Sequence, residues 1–95
     1  MKRRRTKPKS RKVKVTNKFG IHARPAALIV NMASRFKSEI TIVNGETAVS
    51  GKSIMGLLTI EGYCGSSLVI MAEGVDATEA LDAIEQLFKN KFDED

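Results

Sequence analysis

The stretch EITIVNGETAVS, Glu39 to Ser50, decides the fold. Alternating, largely β-branched residues flank Asn44-Gly45, a dipeptide that readily adopts the positive φ a two-residue hairpin turn requires. Two strands joined by so short a turn run antiparallel. The rest of the chain must therefore complete a small antiparallel sheet and cover one face of it.

Upstream, ARPAALIVNMASRF (Ala23 to Phe36) is rich in Ala, Leu and Met. Pro25 falls in the first turn, where a missing N–H removes no intrahelical bond, so a helix is predicted to begin just after His22. Before it, VKVT (Val13 to Thr16) alternates apolar and polar residues as a half-buried strand does, and Asn17, Lys18 and Gly20 then mark a turn. Downstream, Ser53 in GKSIMGLL (Gly51 to Leu58) is placed to cap a short helix whose Ile54, Met55, Leu57 and Leu58 seek cover, and Gly56 argues against a long one. SLVIMA (Ser67 to Ala72) has the nearly continuous apolar run of a central strand, after a connection loosened by Gly62 and Gly65. Asp76 with Glu79 three residues on forms a capping-box-like start, after which Ala77, Ala80, Leu81, Ile84, Leu87 and Phe88 fall on one helical stripe. The expected order is β-α-β-β-α-β-α. The expected architecture is α+β, an open-faced β-sandwich in which three helices cover one face of a four-stranded antiparallel sheet.

The chain has 95 residues, 42% of them hydrophobic and 28% charged, which describes a single core. With four Phe, one Tyr and no Trp, that core must be mostly aliphatic, which suits thin helix-on-sheet packing and argues against a deep enclosed substrate pocket. Cys64 stands alone, so neither an internal disulfide nor a thiolate metal cluster is expected, and a reducing, cytoplasmic location follows. The sequence contains no apolar run of the ~20 residues that a membrane span requires, so no membrane insertion is expected.

Residues 1 to 14 hold nine of the sixteen Lys and Arg and none of the eleven acids, which leaves the remainder with seven basic against eleven acidic side chains, a formal −4. MKRRRTKPKSRK, with no apolar residue after Met1, reads as a basic disordered arm over 1–12, followed by the folded domain over 13–95. Such an arm attracts RNA, DNA or anionic lipid through phosphate charge, but without interleaved aromatics it lacks the means to stack on bases.

The chain's one histidine, His22, lies where a turn hands over to a helix, at the positive end of that helix beside N–H groups with no intrahelical partner. A neutral imidazole is nucleophilic near pH 7, and Arg24, two residues on, offers a fork of donors for phosphate oxygens. From residue type and spacing alone two readings stay open: a helix cap or surface residue, and a phosphoryl acceptor. Likewise Ser53 reads either as an N-cap or as a modification site. One histidine without a cysteine cluster provides no metal site.

GIHARPAA, its spacing to GKSIMGLL and the element order together resemble the HPr family, the histidine-containing phosphocarriers of the bacterial phosphoenolpyruvate-dependent phosphotransferase system. The resemblance runs from about Val13 to Phe92. It implies that His22 is phosphorylated on Nδ1 by Enzyme I and passes the group to Enzyme IIA components. It also implies that Arg24 contacts the phosphate, that Ser53 is the regulatory site of a bifunctional HPr kinase/phosphorylase, and that Ala27, Ile54, Met55 and Leu58 form the docking surface. The domain would be a carrier, not an enzyme, and would need no cofactor. The alternative is a regulatory or binding paralogue, of a nitrogen-type phosphorelay or acting through phospho-Ser53, with nucleic-acid contacts through the arm. Retention of His22 argues against a role confined to serine signalling, while the motifs are shared by the sugar and nitrogen branches.

Overall fold

The computed structural model describes residues 7–93. Strand β1 (Lys9–Lys14) is followed by helix α1 (Ala23–Ala33), the hairpin β2 (Glu39–Asn44) and β3 (Thr47–Ser50), helix α2 (Ile54–Thr59), strand β4 (Ser67–Glu73) and helix α3 (Ala77–Lys89), with a short 3-10 turn at Lys91–Asp93. The four strands form one antiparallel sheet in the order β1-β4-β2-β3, so the apolar run of β4 is central as its composition requires. Leu68, Ile70 and Ala72 of β4 point into the core with Ile40 and Ile42 of β2, and Val69 and Met71 lie half-buried on the open face.

All three helices cover the same face. In α3 the buried residues are Ala77, Ala80, Leu81, Ile84 and Phe88, with Leu87 at the margin of the stripe. Each large side chain so buried contributes on the order of 2 kcal/mol through removal of apolar surface from water. The core is aliphatic apart from Phe88 and Phe92, whose rings meet edge to face with centroids 4.8 Å apart.

Three local expectations are corrected. The first concerns the arm: the ladder begins at Lys9, which pairs with Ala72, so residues 9 to 12 belong to β1 and not to a disordered segment. Arg11, on the helix-facing side, is neutralised by Asp82 and Glu85 of α3, each at 2.7 Å. These two hydrogen bonds, Asp82 first, raise the Arg11 pKa and hold its charge. Residues 1–6 lie outside the described residues.

In the hairpin, the two-residue turn is Gly45-Glu46, one position later than expected. Gly45 supplies the positive φ of 62°, while Asn44 stays in β2 and donates its side-chain amide to the carbonyls of Ile60 and Glu61. The third correction is at Asp76, which is the N-cap of α3 but makes no side-chain cap bond. Its carboxylate instead accepts from the Ser38 hydroxyl at 2.5 Å, the Ser38 N–H at 2.9 Å and the Lys37 N–H at 2.8 Å, tying α3 to the segment that enters β2. Ser38, followed by Lys37, holds the Asp76 carboxyl below its ordinary pKa.

Candidate functional site

The turn before α1 is built from backbone and one amide. Buried Asn17 donates its side-chain N–H to the Gly20 carbonyl at 2.7 Å, and the Gly20 N–H returns to the Asn17 carbonyl at 3.2 Å. Gly20 has φ +66°, and a Cβ there would overlap the carbonyl oxygen of Gly62, so only glycine fits. The Ile21 N–H donates to that same Gly62 carbonyl at 2.8 Å. The loop after α2 therefore clasps the turn that delivers His22.

His22 is the N-cap of α1, with extended backbone at φ −107° and ψ −164°. Its carbonyl accepts from the Ala26 N–H at 3.0 Å, but its side chain makes no cap hydrogen bond. The imidazole, half-buried, instead stands edge-on to the Phe19 ring at 6.2 Å and 87°. The first turn of α1 contains no acidic residue, so the positive end of the helix is not offset by its own side chains. Arg24 lies exposed in that turn, and its guanidinium donates at 3.3 Å to the carbonyl of buried Phe92, in the 3-10 turn after α3.

Ser53 is the N-cap of α2, and its hydroxyl accepts from the Gly56 N–H at 3.0 Å. Helices α1 and α2 run in opposite directions. Gly62, beyond the end of α2, touches the start of α1, while Lys52, before α2, donates its ammonium to the Phe36 carbonyl beyond the end of α1 at 2.9 Å. Ser53 is thus set apart from His22 by the length of α2, about 9 Å at 1.5 Å per residue. On the outer face of α2, Ile54 is 42% exposed, Met55 74% and Leu58 44%, while Leu57 is fully buried. Ala27 is half-buried on the neighbouring α1. The expected site residues therefore form two groups, His22, Arg24 and Ala27 on α1, and Ser53, Ile54, Met55 and Leu58 on α2.

Sequence reasoning missed Phe19 and Tyr63, exposed at 70% and 66%. An aromatic in a short chain reads as core material; the one local hint was that Phe19 sits inside a turn between Lys18 and Gly20. Lys18 places its ammonium 5.5 Å from the Phe19 ring centroid. Among the described residues no group of three or more His, Cys, Asp or Glu is placed to hold a metal ion, and no helix is long and apolar enough to cross a membrane.

The fold is a one-layer antiparallel sheet under three helices, with a lone histidine at a helix start and the partly apolar outer face of a second helix beside it. A family model described as the PTS HPr component phosphorylation site matches residues 9–90. Phosphocarrier protein HPr of Treponema pallidum is 53% identical over 83 residues, covering 87% of this chain and 94% of that protein. Phosphocarrier protein NPr of Shewanella violacea is 46% identical over 84 residues, covering 88% and 92% respectively. The crystal structure of HPr from Thermoanaerobacter tengcongensis superposes with a TM-score of 0.88 at 40% identity, over 92% of this chain and 98% of that one. The chain belongs to the HPr family of phosphocarrier proteins.

Proposed function

We propose that His22 accepts a phosphoryl group from phospho-Enzyme I, ultimately from phosphoenolpyruvate, and hands it to Enzyme IIA components in the cytoplasm. The observation that carries this reading is the lone histidine at the N-cap of α1 with its ring unspent on capping, inside the region matched by the phosphorylation-site model. As the donor's bond to phosphorus breaks, the bond from Nδ1 of His22 to phosphorus forms, and the onward step repeats this with His22 as the leaving group. Phosphoryl transfer needs positioning and charge stabilisation more than covalent help, so an accessible nucleophile is enough on the carrier's side and the partners supply the rest.

The charge that arrives on His22 is met by the N-terminal end of α1 and by Arg24. Charge-assisted bonds to phosphate oxygens are stronger than the bond from Arg24 to the neutral Phe92 carbonyl, so the guanidinium exchanges one for the other. Ala27, Ile54, Met55 and Leu58 receive the partners, and Phe19 extends that surface to the edge of the imidazole. Ser53 is the regulatory site for an HPr kinase/phosphorylase. A phosphate there adds about −2 charge beside Ile54 and Met55 and weakens docking of Enzyme I.

Incubation with labelled phosphoenolpyruvate and Enzyme I should give acid-labile, base-stable label on the intact chain and none on His22→Ala. An unlabelled wild type overturns the reading. Because relatives of both the HPr and NPr kinds match, a nitrogen-type relay is the second reading. Discharge of the labelled protein by a nitrogen-type Enzyme IIA but not by a sugar-specific one decides for it.

A further inference from the structure

A second surface lies far from α2. Between β1 and the C-terminal half of α3 runs a groove of about 510 Å³ whose rim carries Lys12, Lys14, Lys89 and Lys91 and whose floor is Val13 and Phe88. Among the described residues the one acid lining it, Glu85, is already bonded to Arg11 at 2.7 Å and lies 3.9 Å from Lys89. Lys12, Lys14 and Lys91 pair with no acid among the described residues. Among the described residues the groove thus carries a net positive charge, with three of its four lysines unpaired by an acid.

Its wall is a free sheet edge. β1 is an outer strand, and among the described residues the backbone of Lys9–Lys14 bonds only to β4, so its outward N–H and C=O groups face the groove. Lysines on an edge strand often serve to repel unwanted strand pairing. That accounts for Lys12 and Lys14 but not for Lys89 and Lys91, which come from α3 and the turn after it and converge on the same groove.

We propose that this groove binds an extended acidic segment of a partner protein, which adds as a strand along β1 with its carboxylates on the lysine rim. A peptide backbone offers donors and acceptors together, as the strand edge requires, whereas a phosphate backbone offers acceptors alone. Among the described residues the groove presents no arginine fork and no exposed aromatic for base stacking, which disfavours nucleic acid. A second copy of the chain is disfavoured because it would bring like-charged rims together. In the sheet order β1 and β3 are the two edges, and α2 packs on the β3 side, so an occupant of the groove leaves the exposed face of α2 open.

The test is a titration of the full 15N-labelled chain with a short, end-blocked peptide of repeating Glu-Glu-Val-Val, which as a strand carries carboxylates on both faces, read by amide chemical shifts and hydrogen exchange. Saturable shifts should be confined to β1, the C-terminal half of α3 and the turn after it, with slowed exchange at alternate β1 amides. The dissociation constant should rise about tenfold in Lys12→Gln/Lys14→Gln and again in Lys89→Gln/Lys91→Gln. These side chains carry no packing, and unchanged shifts elsewhere verify that each variant is folded. The proposal is overturned by any of four results: absence of saturable shifts, affinity unmoved in both variants, equal binding of a Lys-Val peptide, or tighter binding of oligothymidine or phosphatidylserine vesicles at the same residues. It stands or falls independently of phosphorylation at His22.

Discussion

The starts of α1 and α2 solve the same problem in opposite ways. Every helix begins with N–H groups that lack intrahelical acceptors, and Ser53 satisfies one of them with its own hydroxyl. His22 occupies the equivalent position on α1 and satisfies none with its side chain. The first start is optimised for stability. The second gives up about 1 kcal/mol of capping and keeps an imidazole, the proposed phosphoryl acceptor, at the end of a helix whose field favours an anion.

The largest effect that would break this contrast is at His22 itself. His22→Asn should abolish labelling by phosphoenolpyruvate and Enzyme I while stabilising the fold by roughly 0.5–1 kcal/mol, because asparagine caps where histidine does not. Parallel labelling and urea denaturation read both quantities, and a loss of stability would show that the imidazole holds the turn together. Next in size is Gly20→Ala, which places a Cβ against the Gly62 carbonyl at a positive φ. A cost of about 2–3 kcal/mol in urea denaturation is expected, and a neutral result would mean that the clasp between the two site segments is loose.

Ser53→Ala sharpens the comparison from the other side. It should lower stability by about 1 kcal/mol through loss of the Gly56 bond and leave transfer through His22 unchanged in the labelling assay. The smallest expected effect is on pH dependence. Because Asp76 has a folded pKa below its unfolded one, its contribution to stability is complete above the ordinary carboxylate range, near pH 4, and fades as pH falls through the depressed value. In Asp76→Asn the decline in melting temperature on acidification should be shallower than in wild type, whereas an unchanged slope would place the linkage elsewhere.

Where the determinants are local, the fold is legible in the residues. The alternation in EITIV, a glycine at the hairpin and the apolar stripe of α3 each announce their element, and GIHARPAA with GKSIMGLL points to the site. What escaped depends on partners far along the chain. KSRK reads as an arm until Arg11 meets Asp82 and Glu85 across 71 and 74 residues, which turns a basic position into the helix-facing side of a strand. Asp76 reads as a cap until Ser38 and Lys37, 38 and 39 residues earlier, draw its carboxylate away. Asn44 reads as a turn residue until its amide finds Ile60. At the site, the exposure of Phe19 and Tyr63 follows from packing that no local pattern encodes.

The contact between Gly20 and Gly62 has a kinetic consequence. It ties the histidine turn to the loop after α2, so the surface proposed to receive partners is held in shape beforehand and costs little entropy to order. Accuracy of alignment is then obtained from shape and not from a large buried area. Complexes on such a surface can be brief, and brief residence is what the proposed transfer from one donor to several acceptors requires.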